Sequence, residues 1–245
     1  MQGEPHSPLR RAATPACQWL TLSPISLAPD GSGLCCDALA RYRAIPNRQA
    51  LARLRLLCTT DVAAGETLHR VHAAERGARF YGKRDATWRW DDPDGGYWVL
   101  YLGLARDGPF AETLLRRPAQ KGLVWSEVEK RRFAQFRAVE PLRLADVHGK
   151  GLGWEGVTVT EVAADHDGKT YPGAYAKTQA ISAQIHADTD LDGITYRSRL
   201  DPDQLCVALF SRADDKIEII PEGEPIDRDW VEGMLELHGK HVVEL

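Results

Sequence analysis

The chain has 245 residues, with 31 lysines and arginines against 35 aspartates and glutamates, and its net charge is −4 at neutral pH. This balance provides no basic field, so direct binding to nucleic acid or to an anionic membrane is disfavoured. No apolar run approaches the roughly 18 to 20 residues that cross a bilayer, and the N-terminus lacks the apolar core of a signal peptide. We therefore expect a cytoplasmic protein.

The five cysteines are an odd number and lack the spacing of metal ligands. Cys35 and Cys36 are adjacent, and adjacent thiols are poorly placed to complete a tetrahedral site with other ligands. We expect reduced thiols and no bound metal.

Residues 1–60 are predicted to form an extension that is irregular at first and then helical. Prolines and glycines recur up to about residue 35, with few aliphatic residues in succession, whereas the segment from Asp37 to Cys58 has a helical period interrupted at Pro46. Arginines along this helix are typical of a solvated face. Docking near the main domain's cleft and use as a partner surface or oligomer contact both remain open.

The domain proper is predicted to span residues 61–245. Thr67–His72 alternates in the manner of a strand and places Leu68, Arg70 and His72 on one side. An arginine buried on a sheet face needs an anionic partner, so Arg70 is either a structural salt-bridge residue or an anion ligand. Residues 73–87 are predicted to be a loop that covers this strand.

The segment from Trp88 to Arg116 has the clearest pattern in the chain. It divides into a turn, an aromatic and β-branched strand, and a helix with apolar residues at helical spacing: 91–96, 97–102 and 110–116. A loop at 105–109 precedes the helix, which places Glu112 in the first helical turn. Arg89, Tyr101 and Glu112 therefore sit at a turn, on a strand and at a helix start, where their side chains could converge on one cleft.

Further helices are predicted beyond Arg116. They cover 126–136, 175–187 and 229–238. The first is expected to be capped by Ser126 with Glu129 three residues on. The second has alanines on one face, which predicts close packing of that face.

Strands are also predicted beyond Arg116. They cover 142–144, 194–199, 205–210 and 217–220, and the last two are expected to be joined like a hairpin. The glycines of 149–153 are spaced like part of a dinucleotide fingerprint, but they are predicted to form a loop with no helix after it, so we reject that fingerprint. The order of all elements indicates an α+β fold with a mixed, mainly antiparallel sheet and flanking helices, rather than a regular βαβ repeat.

Six short pieces, in this order and spacing, resemble the RES domain, a family named for its Arg, Glu and Ser. The pieces are Leu68–Val71, Trp88–Pro93, Val99–Gly103, Phe110–Arg116, Tyr171 through Gln179, and Asp192–Arg199. No single piece is specific, since each alone would occur by chance. The resemblance covers residues 65–210 and leaves the first 60 residues and the tail after about 220 outside it.

This resemblance implies a fold similar to ADP-ribosyltransferase toxins. Several members of the family destroy NAD and are the toxic half of a toxin–antitoxin pair. The resemblance therefore also implies NAD cleavage, and a cognate helix-turn-helix antitoxin as the partner. Other members transfer ADP-ribose to a protein. By position, the family's functional residues fall on Arg89, Tyr101, Glu112 and Ser198, with Arg70 resembling a second arginine on the first strand.

The chemistry of NAD cleavage requires side chains of these types. Breaking the bond between nicotinamide and ribose passes through an oxocarbenium-like state, which the Glu112 carboxylate could stabilise. Arg89 and Arg70 could grip the pyrophosphate through their guanidinium forks. Tyr101 and Ser198 could supply the aromatic face and the hydrogen bonds that hold nicotinamide.

Ser198 is expected to be a hydrogen-bonding group and not a nucleophile. A serine needs a nearby base for activation, and its neighbours in sequence are two arginines, which are permanent cations. Each candidate residue, taken alone, also has a plain structural explanation.

Several functions therefore remain open at this stage. The enzymatic ones are NAD hydrolysis, NAD phosphorolysis and ADP-ribosyl transfer to a protein, and they differ only in the acceptor. The alternative from another class is a module that binds a nucleotide or a protein partner without turnover. Whether the chain forms a homo-oligomer is also open.

Overall fold

The computed structural model describes residues 58–82, 86–163, 173–220 and 223–244. The predicted helix from Asp37 onwards lies outside these residues, and so does almost all of the predicted extension. The last residues of that extension, Thr59 and Thr60, begin the first described strand. The boundary at residue 60 and the role of the extension stay predictions.

The described residues form eleven strands in two sheets. In chain order they are β1 Thr59–Val62, β2 Thr67–Ala73, β3 Val99–Gly103, β4 Gly122–Val124, β5 Arg131–Ala138, β6 Leu142–Asp146, β7 Gly193–Arg197, β8 Leu205–Phe210, β9 Ile217–Ile219, β10 Glu224–Pro225 and β11 His241–Val243. The large sheet has the order β1-β6-β7-β8-β3-β2-β5-β10, with β9 also paired to β5. Only β6–β7 is parallel in this sheet, within the described part of the chain, whereas the small sheet is the parallel pair β4–β11.

Six α-helices of the described chain accompany the sheets. They are α1 Asp107–Leu114, α2 Trp125–Glu129, α3 Gly151–Glu155, α4 Val159–Val162, α5 Ala176–Asp188 and α6 Arg228–Leu237, and a 3₁₀ helix spans Ser211–Lys216. The predicted α+β class, with a mixed and mainly antiparallel sheet, is confirmed.

The sheet is buried on both faces. Because side chains alternate along a strand, β3 directs Leu100 and Leu102 into one core and Val99 into another. The core around Val99 is closed by Ile181 and Ile185 of α5. A third core joins α1, α2 and α6 over β2. The strand β3 therefore lies inside the large sheet, between β8 and β2 and between two cores, which fixes the position of Tyr101.

A close approach between β3 and α1 sets the position of the helix that carries Glu112. A Cβ atom on Gly103 would lie 2.3 Å from Pro109 Cδ and 2.8 Å from the carbonyl oxygen of Ala105. These distances are shorter than any van der Waals contact. Only glycine at this position lets the chain turn from the strand into the helix at this distance.

We expect Gly103→Ala to lower the free energy of unfolding by about 1 to 3 kcal/mol, because the methyl group forces α1 away from β3. Denaturant unfolding measures this change. Gly233→Ala is the matched control, since a Cβ on Gly233 in α6 meets nothing within 4 Å. That substitution should stabilise the protein by up to about 1 kcal/mol. Equal stability of the two variants would contradict the proposed close approach.

The predicted helix 126–136 is wrong over most of its length. The helix α2 ends at Glu129, and β5 begins at Arg131. Ala134, Phe136 and Ala138 are buried in strict alternation, which is a strand period that the charged residues of this segment concealed. The cap is also different, because Val124 and not Ser126 precedes the helix.

Three other local predictions are corrected. The chain after β8 forms a 3₁₀ helix, and the next strand, β9, pairs with β5. The strands β8 and β9 therefore do not form a hairpin. A short helix begins at Gly151 inside the predicted glycine loop. The buried face of α5 carries Thr178, Gln179, Ile181, Ser182 and Ile185 instead of the alanines.

Candidate active site

A cavity of about 680 Å³ lies beside β2, β3, α1 and the turn that follows Thr87. Its size is in the range of about 300 to 1,000 Å³ that is common for small-molecule sites. Arg70, Arg89, Tyr101 and Glu112 all line it. The structure therefore brings together four of the five residues singled out from the sequence, although they come from four different elements.

The cavity is strongly cationic. Seven arginines line it, at positions 70, 76, 89, 116, 117, 131 and 199. Among the described residues, Glu112 is the only carboxylate in the lining. Such an excess of fixed positive charge concentrates an anionic ligand and favours one with several phosphate oxygens.

Glu112 lies in the second turn of α1, because the helix begins at Asp107 and not after Pro109 as predicted. Its Oε1 atom accepts a hydrogen bond from Ser198 Oγ at 2.6 Å and another from the backbone N–H of Arg199 at 3.2 Å. No described hydrogen bond reaches Oε2. The carboxylate is thus oriented through Oε1 alone, as far as the described hydrogen bonds go.

Ser198 lies behind Glu112 and does not line the cavity. Its side chain is buried, and its oxygen also accepts hydrogen bonds from the backbone N–H groups of Leu200 and Asp201 at 3.2 and 3.3 Å. The single hydroxyl proton is committed to Glu112. This position differs from the expected contact with nicotinamide: Ser198 is placed to orient the carboxylate that faces the cavity.

Arg89 projects from a turn whose backbone is tied to β3. The N–H of Trp88 donates to Asp91 Oδ2 at 2.9 Å, and the N–H of Trp90 donates to the Tyr101 hydroxyl at 3.0 Å. Tyr101 in turn donates to Asp91 Oδ1 at 2.9 Å. The Tyr101 hydroxyl is therefore used to hold this turn, and the residue's contribution to the cavity is its ring.

The environment of Tyr101 favours the protonated phenol. Burial, together with the nearby Asp91 carboxylate, raises the pKa of Tyr101 well above its ordinary value.

The guanidinium of Arg89 lies 5.0 Å from the centre of the Tyr175 ring, which also lines the cavity. A guanidinium over an aromatic face keeps its N–H groups, which lie in its own plane, available for other acceptors.

Arg70 on β2 has no ion-pair partner among the described residues. Its Nη2 donates to the carbonyl of Phe80 at 2.7 Å, and its Nη1 is buried without a hydrogen-bond partner in the part of the chain that the structure describes. Burial lowers the pKa of Arg70 to about 10. Of the two roles open to Arg70 from the sequence, this geometry favours the anion ligand over the structural salt bridge.

A model of the RES domain matches residues 67–230, about two thirds of the chain. The chain belongs to the RES domain family. The resemblance found in the sequence is confirmed, and the match continues past residue 210, into α6. A search of curated proteins found no match.

A solved structure supports the fold. A chain of the M. tuberculosis MbcT–MbcA toxin–antitoxin complex superposes on 78% of this RES-domain chain and on 96% of its own length. The TM-score is 0.55 and the sequence identity is 13%. The two chains therefore share a fold, although few residues are identical.

The RES-domain cavity has further wall residues that the sequence analysis did not single out as site residues. Arg116 donates from Nε to the carbonyl of Glu112 at 2.8 Å, and its guanidinium lies 4.9 Å from the centre of the Trp88 ring. Burial lowers the pKa of Arg116, and the cations Arg131 and Arg199 lower it further. Arg116 ends the fourth resembling piece, and its i+4 spacing from Glu112 was the signal that could have placed it in the site.

Tyr196 and Cys206 form the wall near Glu112. Both side chains are buried, and burial raises the pKa of each. They lie opposite each other on β7 and β8. A buried thiol with a raised pKa carries little thiolate, so the surroundings of Cys206 do not favour its use as a nucleophile.

The described residues contain no group of three or more histidine, cysteine or acidic side chains that could hold a metal ion. In the same part of the chain, no helix is long and apolar enough to cross a membrane.

Proposed function

We propose that this chain binds NAD in the arginine-lined cavity and cleaves the bond between nicotinamide and ribose, with water or inorganic phosphate as the acceptor. The observation that carries the proposal is the setting of Glu112. Its carboxylate is held by a hydrogen bond from Ser198, and it is the only carboxylate among the described lining residues, which include seven arginines. A cationic cavity suits the pyrophosphate, and a single carboxylate suits a reaction centre that becomes positively charged.

In this mechanism Arg89 and Arg70 hold the pyrophosphate. The Arg89 guanidinium lies over the Tyr175 ring, and Nη1 of Arg70 is buried without a hydrogen-bond partner among the described residues. Both guanidinium groups can bond two oxygens of a phosphate at once. The ligand's fixed anionic end then determines where its ribose and nicotinamide lie.

Glu112 acts at the ribose. As the glycosidic bond breaks, electrons leave with nicotinamide and positive charge develops on the ribosyl carbon and ring oxygen. Oε2 of Glu112 offsets that charge, while Ser198 and the backbone of Arg199 hold Oε1. The aromatic ring of Tyr101 supplies one wall for the departing nicotinamide.

The function is tested by incubating the full chain with NAD, with and without inorganic phosphate, and following free nicotinamide. Release that requires phosphate identifies phosphorolysis, and release without it identifies hydrolysis. Glu236→Gln is a matched control for any change at Glu112, because Glu236 is exposed on α6 and does not line the cavity. NAD binding without any release would instead support the non-catalytic nucleotide-binding module.

Ser198→Ala should reduce kcat on NAD and leave some activity. The variant removes one of the two donors to Glu112 Oε1, and a hydrogen bond to a charged group contributes about 1.5 to 3 kcal/mol, or roughly 10-fold to 150-fold in rate. Ser126→Ala, at an exposed position of α2, is the control. Unchanged kcat would remove Ser198 from the mechanism, and a ribosyl adduct on Ser198 in mass spectra would make it a nucleophile.

An antitoxin partner is the second part of the proposal. The solved structure that shares this fold comes from a toxin–antitoxin complex. An enzyme that consumes NAD in the cytoplasm would arrest its host unless a partner inhibited it. Expression of the chain alone in a bacterial host should therefore slow growth and lower cellular NAD, and co-expression of a helix-turn-helix protein from the neighbouring gene should restore both.

A further inference from the structure

The face of α5 that packs on the turn bearing Arg89 is polar, although it is buried. Thr178, Gln179 and Ser182 lie on this face and are at most 7% exposed. Buried polar side chains are costly unless they are hydrogen-bonded, so the partners of these groups indicate what the face does. Gln179 belongs to one of the resembling pieces, but no role followed from the sequence.

Gln179 uses both of its amide hydrogens on the turn. Nε2 donates to the carbonyl oxygen of Ala86 at 2.7 Å and to that of Trp88 at 2.9 Å. Ala86 has a φ of +49°, a left-handed conformation that is uncommon for residues other than glycine. The amide therefore holds a bend on both sides of Thr87.

Ser182 holds the far side of the same turn. Its Oγ lies 2.7 Å from the carbonyl of Trp90 and 2.7 Å from the Tyr97 hydroxyl. Since a carbonyl only accepts, Ser182 donates to Trp90, and Tyr97 donates to Ser182. One helix face thus binds three carbonyl groups of the segment 86–90.

These contacts complete the restraint on Arg89. Asp91 binds the N–H of Trp88 and Tyr101 binds the N–H of Trp90, while Gln179 and Ser182 bind the carbonyls of the same two tryptophans. The backbone N–H and C=O groups of both residues that flank Arg89 are therefore hydrogen-bonded. The position of the Arg89 Cα atom depends on α5 as well as on Asp91 and on Tyr101 of β3.

We propose that Gln179 is a positioning residue that acts through Arg89, by clamping the turn so that the guanidinium meets the anionic part of the ligand. The proposal rests on the proposed function only in naming NAD as that ligand. A side-chain amide is required here, because its two N–H groups match two carbonyls. A carboxylate of the same shape would present oxygens to oxygens.

The clamp is tested first on the unliganded full chain by hydrogen–deuterium exchange. Gln179→Met and Gln179→Glu both lack the two donors, and Gln184→Glu is the matched control on another face of α5. Exchange in peptides covering residues 86–92 should rise at least about tenfold in both Gln179 variants, because loss of two hydrogen bonds favours local opening. Exchange in β8 reports whether the rest of the fold is intact. Unchanged exchange at 86–92 in either variant with β8 intact overturns the clamp.

A double-mutant cycle tests whether the clamp acts through Arg89. Gln179→Met should weaken NAD binding on the order of 10-fold in the wild-type background and should have little effect in the Arg89→Ala background. Equal effects in both backgrounds would show a merely structural role and overturn the proposal. If the wild-type chain neither binds nor consumes NAD, the proposed function fails, and the exchange experiment still decides whether Gln179 positions the turn.

Discussion

Replacing Glu112 with glutamine should lower kcat for nicotinamide release by about 100-fold to 1,000-fold, a loss typical of removing one preorganised electrostatic contact to a developing charge. The affinity for NAD should change much less. In the ground state the ribose carries no charge for the carboxylate to offset, so the contribution of Glu112 appears mainly in the transition state.

Glutamine is the informative substitution because it preserves the local hydrogen bonds. Its amide oxygen can still accept from Ser198 Oγ and from the N–H of Arg199, the two donors that orient Glu112. The shape of the cavity is therefore retained while the negative charge is removed. The comparison separates the effect of charge from the effect of misfolding.

The measurement combines calorimetry for the Kd of NAD with a nicotinamide-release assay for kcat. Glu236→Gln should match the wild type in both. Loss of NAD binding in Glu112→Gln would show that the carboxylate serves the ground state, and retained kcat would remove it from the chemistry.

The sequence predicted those parts of the fold whose signal is local. The strand from Thr67 shows period-two alternation, and the strand after Gly96 is aromatic and β-branched between turn residues; both occur close to the predicted bounds. Arg89, Tyr101 and Glu112 were expected to converge because a turn, a strand and a helix follow one another within 30 residues, and all three line the cavity.

The parts that were missed depend on distant partners. Ser198 and Glu112 are 86 residues apart, and no local pattern shows that the serine hydroxyl ends on the carboxylate. Gln179 binds carbonyls more than 90 residues earlier. In the segment 126–136, the charged residues of α2 and of the start of β5 concealed a strand that pairs with β2, because tertiary pairing overrides a weak local preference.

Arg89→Lys should weaken NAD binding by about 10-fold to 100-fold, or ~1.4 to 2.8 kcal/mol, although the charge is unchanged. The expected loss follows from shape. A guanidinium is planar and can grip two phosphate oxygens, whereas an ammonium group is a single point of charge and stacks less well on an aromatic ring. The guanidinium of Arg89 already lies over the Tyr175 ring, and the proposed grip on the pyrophosphate would use the planar fork as well.

The control for this substitution is Arg137→Lys on β5, where the arginine is exposed, pairs with Glu218 and does not line the cavity. Calorimetry at two salt concentrations distinguishes the two contributions of Arg89. A contact that depended on charge alone would give the lysine variant the affinity of the wild type and the same weakening at high salt. A bidentate contact held in place by the Trp88–Trp90 turn gives the lysine variant weaker binding than the wild type at both salt concentrations. Its kcat at saturating NAD should stay close to that of the wild type, because the pyrophosphate is bound equally in the ground and transition states.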